Sequence, residues 1–262
     1  MIFFIFAVII FKIYIMITKK EIISIKKLDN KKERYEKGLF IAEGPLLVAD
    51  LIKRGAKHYK IFTTTKYDFL KNLSSIEYIC EKDLLRISSM KTPNNILGLF
   101  YIKTQPTIEN FIKSDKILIL NDIQDPGNMG NILRTAEWLD FKYIVSTLNS
   151  VDIYNPKVVQ ASMGSIMGIN IAYLDLEQIK YISRTHCLIA TDIIGESICN
   201  FKIDFPYAII IGNEGSGISK ELMNMANIIL NIPRKNKLNL PESLNAATAA
   251  AIIMWHFTMC IL

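Results

Sequence analysis

From Lys19 onward, two patterns of apolar and polar positions take turns along the chain. Short continuous apolar runs closed by turn residues read as buried strands at residues 39–42, 117–122, 143–146, 187–192, 207–214 and 228–233. Between them lie helical spacings. One helix opens after Gly44-Pro45 with Leu46, Leu47, Val48, Leu51 and Ile52 on its apolar stripe, and others cover residues 130–139, 220–226 and 246–257. The stretch from Ile23, "ISIKKLDNKKERYEKG", reads as a basic helix, and "KIFTTTK", "IEYICEKDLLRISSM" and "ILGLFYIK" continue a small α/β unit in the front part. In the back part, buried strands alternating with helices predict a mostly parallel sheet covered on both faces.

A polar connector with a proline, "KTQPTIENFIKSDK" at residues 103–116, separates the two parts. The expected organisation is an apolar extension over residues 1–18, a small α/β domain over 19–103, a linker over 104–116 and a parallel-sheet domain over 117–262. The first seventeen residues are apolar apart from Lys12. That run is shorter than the roughly 20 residues of a spanning helix and has neither a basic leader nor an Ala-x-Ala cleavage site. Met16 stands directly before an ordinary soluble beginning, so the expectation is that Met16 is the physiological start and that the chain does not associate with membranes; the competing reading is a true membrane tether.

At 262 residues and 50% hydrophobic composition, the chain can bury a sizeable core, which excludes disordered and fibrous classes. Cys80, Cys187, Cys199 and Cys260 form no CxxC pair, and His58, His186 and His256 lie far from them in sequence. Neither a structural zinc site nor a disulfide framework is expected; a reducing, cytoplasmic compartment fits, and no metal is called for. Charge divides unevenly. Residues 19–113 hold 19 Lys/Arg against 11 Asp/Glu, whereas residues 114–262 hold 11 against 14. A front part at net +8 either meets a polyanion such as nucleic acid or carries a lysine-rich solvated surface.

Parallel sheets bind ligands beyond the carboxyl ends of their strands. Three loops fall there. The first, "NDIQDPGNMGN", leads into the helix expected near Gly130, which Asn128 would cap. Arg134 would sit about one turn into that helix, where the dipole gives a cation nothing. Its partner is then an external anion or, within the protein, Asp122 or Asp125. The second loop, "GNEGSGIS", spaces its glycines as Gly212, Gly215 and Gly217, unlike either phosphate-binding fingerprint. Glu214 inside it would repel a polyphosphate and tolerate a cationic ligand. The third, "IPRKNKLNLPESLNAATAAAI", ends in a small-residue helix expected to begin near Ser243, able to approach another segment closely.

The ordered set "NMGNILRTAEWLDF", "IIIGNEGSGIS" and "IP…ESLNAATAAAI" resembles the SpoU (TrmH) branch of the SPOUT superfamily of RNA methyltransferases, with "ASMGSIMGINI" similar to the segment between the first two motifs. The front part, with "KKERYEKGLFIAEGP", is similar to the ribosomal-protein-like substrate-binding domain of many members. The resemblance implies an α/β fold with a deep trefoil knot, S-adenosylmethionine as cofactor, RNA as substrate and a homodimer. It assigns cofactor contacts to Gly212, Ile232 and Leu244, with neighbouring Asn213 and Gly217. Asn128, Arg134, Glu214, Ser243 and Asn245 match its catalytic motif positions.

The implied reaction is methyl transfer to a ribose 2′-hydroxyl, in 23S ribosomal RNA more than in transfer RNA; a non-catalytic RNA-binding protein is the rival. A guanidinium has a pKa above about 12 and no acceptor while protonated. Arg134 is therefore expected to bind a phosphate beside the target ribose and to stabilise the emerging alkoxide. The third motif departs from the family, in which a short spacer follows IP: here "RKNKLNLPE" adds Arg234, Lys235 and Lys237 before Ser243. These bases either rim an RNA site or face solvent.

Overall fold

The computed structural model describes residues 16–234 and 243–259. Residues 1–15, which carry the apolar extension and the expectation about the start, lie outside them, as do Lys235 and Lys237 of the long loop. The chain divides into two compact units, one ending at Tyr101 and the other beginning at Ile102. Among the described residues no helix is long and apolar enough to cross a membrane.

In the first unit the expected single basic helix is two. Helix α1 (Lys19–Lys26) is capped by Thr18, and α2 (Lys31–Lys37) by Asn30, whose side-chain oxygen accepts the Lys32 N–H at 2.8 Å. Asn30 competes with helical bonding and so splits the run. Strands β1 (Leu39–Glu43), β2 (His58–Thr63), β3 (Ile76–Tyr78) and β4 (Ile96–Tyr101) form a sheet in the order β1-β4-β2-β3, with α3 (Pro45–Lys53) and α4 (Glu81–Ile87) between them. Ile25 and Leu28 bury against Phe62, Leu84 and Leu97 to close one face.

The second unit holds α5 (Ile108–Ile112), β5 (Lys116–Leu120), α6 (Pro126–Trp138), β6 (Tyr143–Thr147), α7 (Pro156–Ser162) and β7 (Asn170–Leu174). It continues with α8 (Leu176–Ile182), β8 (Cys187–Ser197), β9 (Tyr207–Ile211), α9 (Lys220–Met225), β10 (Ile228–Asn231) and α10 (Ala246–Met259). The six strands run parallel in the order β10-β8-β9-β5-β6-β7, as the alternation predicts. Ile117, Ile119, Val145, Leu188 and Ile210 point to one face, against Phe111, Ile179 and Leu222 from α5, α8 and α9. The intervening Leu118, Leu120, Ile144, Ile189 and Ile209 are equally buried on the other face. There α6 packs against α7 and α10.

Four elements, α5, α7, β7 and α8, were not expected; α5 lies within the stretch read as a linker, and its Phe111 is buried in the core. Strand β7 reads NIAYL, with a polar residue and a tyrosine that blur the apolar run. The Tyr173 hydroxyl accepts the Ile153 N–H at 2.9 Å and donates to the Val151 carbonyl at 2.7 Å. Those partners come from another loop, so only tertiary contact makes the strand affordable at the sheet edge.

From β5 the chain moves to β6 and β7 at one edge, and later fills the other edge with β8, β9 and β10. The loops that follow β5 and β9 thus leave in opposite directions from adjacent strands, which opens a crevice at their carboxyl ends.

Candidate active site

Strands β5 and β9 pair with Leu120 opposite Ile211. The ladder extends one residue, since the Asn121 N–H donates to the Ile211 carbonyl at 2.9 Å. The Asn121 side-chain oxygen accepts the Ser219 N–H at 2.6 Å, which anchors the start of α9. Next, Asp122 turns the chain at φ 55°, a left-handed conformation that costs energy outside glycine. Reciprocal bonds hold it there: its N–H donates to the Thr147 hydroxyl at 2.8 Å, and that hydroxyl donates back to its carboxylate. The Asp122 carbonyl accepts from Asn213 Nδ2 at 2.8 Å, so the loop after β5 is tied to the loop after β9.

The loop after β9 folds back on itself. Asn213 and Gly217 exchange N–H···O bonds at 2.9 and 3.0 Å, and Asn213 Oδ1 accepts the Gly215 and Ser216 N–H groups at 2.8 and 3.0 Å. A Cβ on Gly212 would lie 2.5 Å from the Gly217 carbonyl carbon and 2.6 Å from the Ile218 nitrogen. Gly212 is therefore required for close backbone approach, whereas Gly217, at φ 69°, supplies the left-handed turn.

Two helix starts differ from expectation. Helix α6 begins at Pro126, not near Gly130, and its cap is Asp125, whose carboxylate accepts the Asn128 N–H at 2.7 Å. Proline at the first position and an aspartate cap outcompete asparagine three residues later. Helix α10 begins at Ala246 rather than near Ser243, because Asn245 Oδ1 accepts the Ala247 and Thr248 N–H groups at 3.0 and 3.2 Å.

Relieved of capping, the Asn128 amide faces the other two loops. Its Nδ2 donates to Glu214 Oε1, and its Oδ1 accepts from Asn245 Nδ2 at 2.8 Å. One residue from each of the three loops thus joins a single hydrogen-bonded line.

With the corrected start, Arg134 is the ninth of thirteen residues in α6, so the helix dipole no longer opposes it. Its side chain is exposed. The internal pairing is overturned: Asp125 is spent on the cap and Asp122 on Thr147, and among the described residues no hydrogen bond or ion pair reaches Arg134.

Beside the line of asparagines and Glu214 lies a cavity of about 590 Å³. Gly212, Asn213, Glu214, Gly217, Ile232, Ser243 and Leu244 all line it, as does Arg234. Asn128 and Asn245 stand behind the lining and reach it through Glu214, while Arg134 is not part of the wall. Sequence reasoning missed Thr191, Asp192 and Ile193 within β8, and Ala249 and Ile253 of α10. The polar Thr191-Asp192 closing an apolar run was the available signal.

The cavity is of the size that takes a drug-sized or nucleoside-sized ligand. Leu230, Ile232, Leu244 and Ile253 supply apolar wall, and its charged side chains are Asp192, Glu214 and Arg234. Two carboxylates suit a ligand bearing cationic centres and disfavour a polyphosphate. This donor set fits S-adenosylmethionine and does not fit a dinucleotide. Among the described residues no cluster of three or more His, Cys, Asp or Glu is placed to hold a metal ion.

Comparison with known proteins gives a consistent result for both units. Residues 115–255 match the SpoU rRNA Methylase family, and residues 19–98 match the MRM3-like substrate binding domain. A Bacillus subtilis relative, 23S rRNA (guanosine(2553)-2′-O)-methyltransferase RlmP, is 27% identical over 240 residues, 88% of this chain and 93% of that protein. The solved structure of a TrmH-family protein from Porphyromonas gingivalis superposes with a TM-score of 0.82 at 28% identity, covering 93% of this chain and 98% of the other. An AdoMet-bound rRNA methyltransferase from Sinorhizobium meliloti superposes with a TM-score of 0.81 at 25% identity, covering 92% and 95%.

Proposed function

The chain belongs to the SpoU rRNA methylase family, and we propose that it is an S-adenosylmethionine-dependent RNA methyltransferase that methylates a ribose 2′-hydroxyl in 23S ribosomal RNA, in the cytoplasm. The observation that carries this reading is the hydrogen-bonded line Asn245–Asn128–Glu214, which draws one residue of each motif loop to the wall of a nucleoside-sized cavity. The 23S rRNA activity of the Bacillus subtilis relative supports the choice of substrate.

Gly212, Asn213, Gly217, Ile232 and Leu244 would hold the cofactor, with backbone approach at Gly212 and apolar wall from Ile232 and Leu244. When bound, S-adenosylmethionine supplies an electrophilic methyl group whose departure leaves a neutral thioether, so the protein needs no acid for the leaving group. The chain's own task is alignment and charge control. Glu214, held by Asn128, sets a carboxylate at the cavity wall that favours a cationic sulfur. Asn245 fixes the start of α10 against it, and Ser243 lines the cavity beside it. Arg134, without a partner among the described residues, offers its planar fork to a phosphate next to the target ribose and stabilises the oxyanion as the hydroxyl loses its proton.

Residues 19–98 would bind the RNA substrate, as their match to a substrate-binding domain and the positive balance of the front part support. The protein would act as a homodimer. Its two tryptophans are Trp138 on α6 and Trp255 on α10, and they are 89% and 57% exposed, on helices that pack together. Exposed tryptophans on neighbouring helices mark a protein interface, and Arg134 sits one turn from Trp138. The knotted threading of the family's fold belongs to the same reading.

Mapping 2′-O-methylation in total RNA from wild-type and deletion strains tests the reading. A methyl group lost from one 23S rRNA position is the expected result. Loss confined to a transfer RNA would overturn the substrate, and an unchanged methylation map would overturn the activity.

A further inference from the structure

We propose that Asp192 and Arg234 grip the amino-acid end of S-adenosylmethionine, Arg234 through the carboxylate and Asp192 through the ammonium group. This rests on the cofactor reading above and adds two ligand-binding residues that the motif match does not assign. The ligand carries two cations, sulfonium and ammonium, and one carboxylate. Among the described residues of the cavity wall the charges are the complement: Asp192, Glu214 and Arg234. A zwitterion enters a partly apolar cavity at a desolvation cost that only opposite charges in contact offset.

The positions divide the three roles. Glu214 is held by Asn128 of α6, the helix that also carries Arg134, which assigns it to the sulfur whose methyl leaves. Asp192 and Arg234 belong to a different part of the fold, strand β8 and the segment after β10. Strands β8 and β10 pair in parallel, but their register jumps: Ile229 faces Ala190, while Leu230 faces Glu196. Residues 191–195 therefore leave the ladder as an excursion, closed where a Cβ on Gly195 would lie 2.7 Å from the Ile229 carbonyl oxygen. The Asp192 carboxylate accepts the Ile194 N–H at 3.0 Å, which orients it within that excursion. Arg234 follows the last residue of β10 by three positions, so the excursion of β8 and the segment after its paired strand bring a carboxylate and a guanidinium to the wall of one cavity. The apolar Leu230, Ile232 and Ile253 remain for the adenine end.

Titration calorimetry of the full chain with three ligands resolves the assignment: S-adenosylmethionine, its decarboxylated form, and methylthioadenosine, which lacks both the carboxylate and the ammonium. Arg234→Ala is expected to weaken S-adenosylmethionine about tenfold and to leave the other two unchanged. Asp192→Asn is expected to weaken S-adenosylmethionine and the decarboxylated form by about the same factor, with methylthioadenosine unaffected. Equal weakening of all three ligands by either variant, or no change with Arg234→Ala, would overturn the proposal; an Arg234→Ala effect on RNA affinity alone would give that residue to the RNA rim. If the wild-type chain binds none of the three, the cofactor reading itself fails, and this assignment with it.

Discussion

At the scale of the residue, two side-chain facts decide the chemistry. Arg134 is a cation on an exposed helix face with no internal partner among the described residues, although two aspartates lie close in sequence. Its fork, not its charge alone, is what bidentate phosphate recognition uses. Arg134→Lys should lower kcat about tenfold or more while the affinity for S-adenosylmethionine stays at the wild-type value; single-turnover methylation and calorimetry together check this. Gly212 presents the opposite case, a position where any side chain is excluded. A methyl there meets the Gly217 backbone at 2.5 Å, so Gly212→Ala must displace the loop that lines the cavity. Its expected signature is a loss of S-adenosylmethionine binding of about a hundredfold, roughly 2.7 kcal/mol, with the rest of the fold retained by circular dichroism.

At the scale of the element, helix starts set the geometry. Asp125 takes the cap of α6, and the Asn128 side chain is thereby released to bridge Glu214 and Asn245. Asn245 has two separable jobs, because its oxygen caps α10 while its nitrogen donates to Asn128. Asn245→Asp keeps the acceptor and loses the donor, so it should leave the melting temperature within about 2 °C of wild type and still reduce turnover strongly. Asn245→Ala removes the cap as well and should cost about 1 kcal/mol in addition. If the aspartate variant turned over at the wild-type rate, the hydrogen-bonded line would have no part in catalysis. Helix packing is similarly specific: a Cβ on Gly130 would sit 2.4 Å from Ala161 Cβ, so the small residue is what lets α6 lie against α7.

At the scale of the whole molecule, the exposed Trp138 and Trp255 are where the proposed homodimer is open to test. Burying two such rings contributes strongly to an interface when they sit in its dry centre. The double variant Trp138→Glu/Trp255→Glu should run at the monomer mass in light scattering at micromolar concentration and melt as a folded chain. A dimer that survived both charges would put the interface elsewhere. The same variant should lose methylation of RNA if each site is completed across the pair.

The alternation of apolar runs and helical spacing determined the fold class, and the order of three motifs determined the family, because both are properties of residues close together in the chain. The parallel sheet and the loops at its carboxyl ends were legible on that basis, and so were Gly212, Glu214, Ser243 and Leu244 as residues of one cavity wall. Helix starts were misread by a few residues, since aspartate and asparagine caps compete and local pattern does not rank them. Strand β7 was invisible because its tyrosine is satisfied only by the Val151–Ile153 segment. What tertiary structure alone decided is which polar groups meet. Asn128 bonds to Glu214, 86 positions away, and to Asn245, 117 positions away, and Asp192 and Arg234 share a cavity wall only because β8 lies beside β10. Strand order brings such pairs together, and strand order follows from how all six strands share two buried faces, a property no single segment carries.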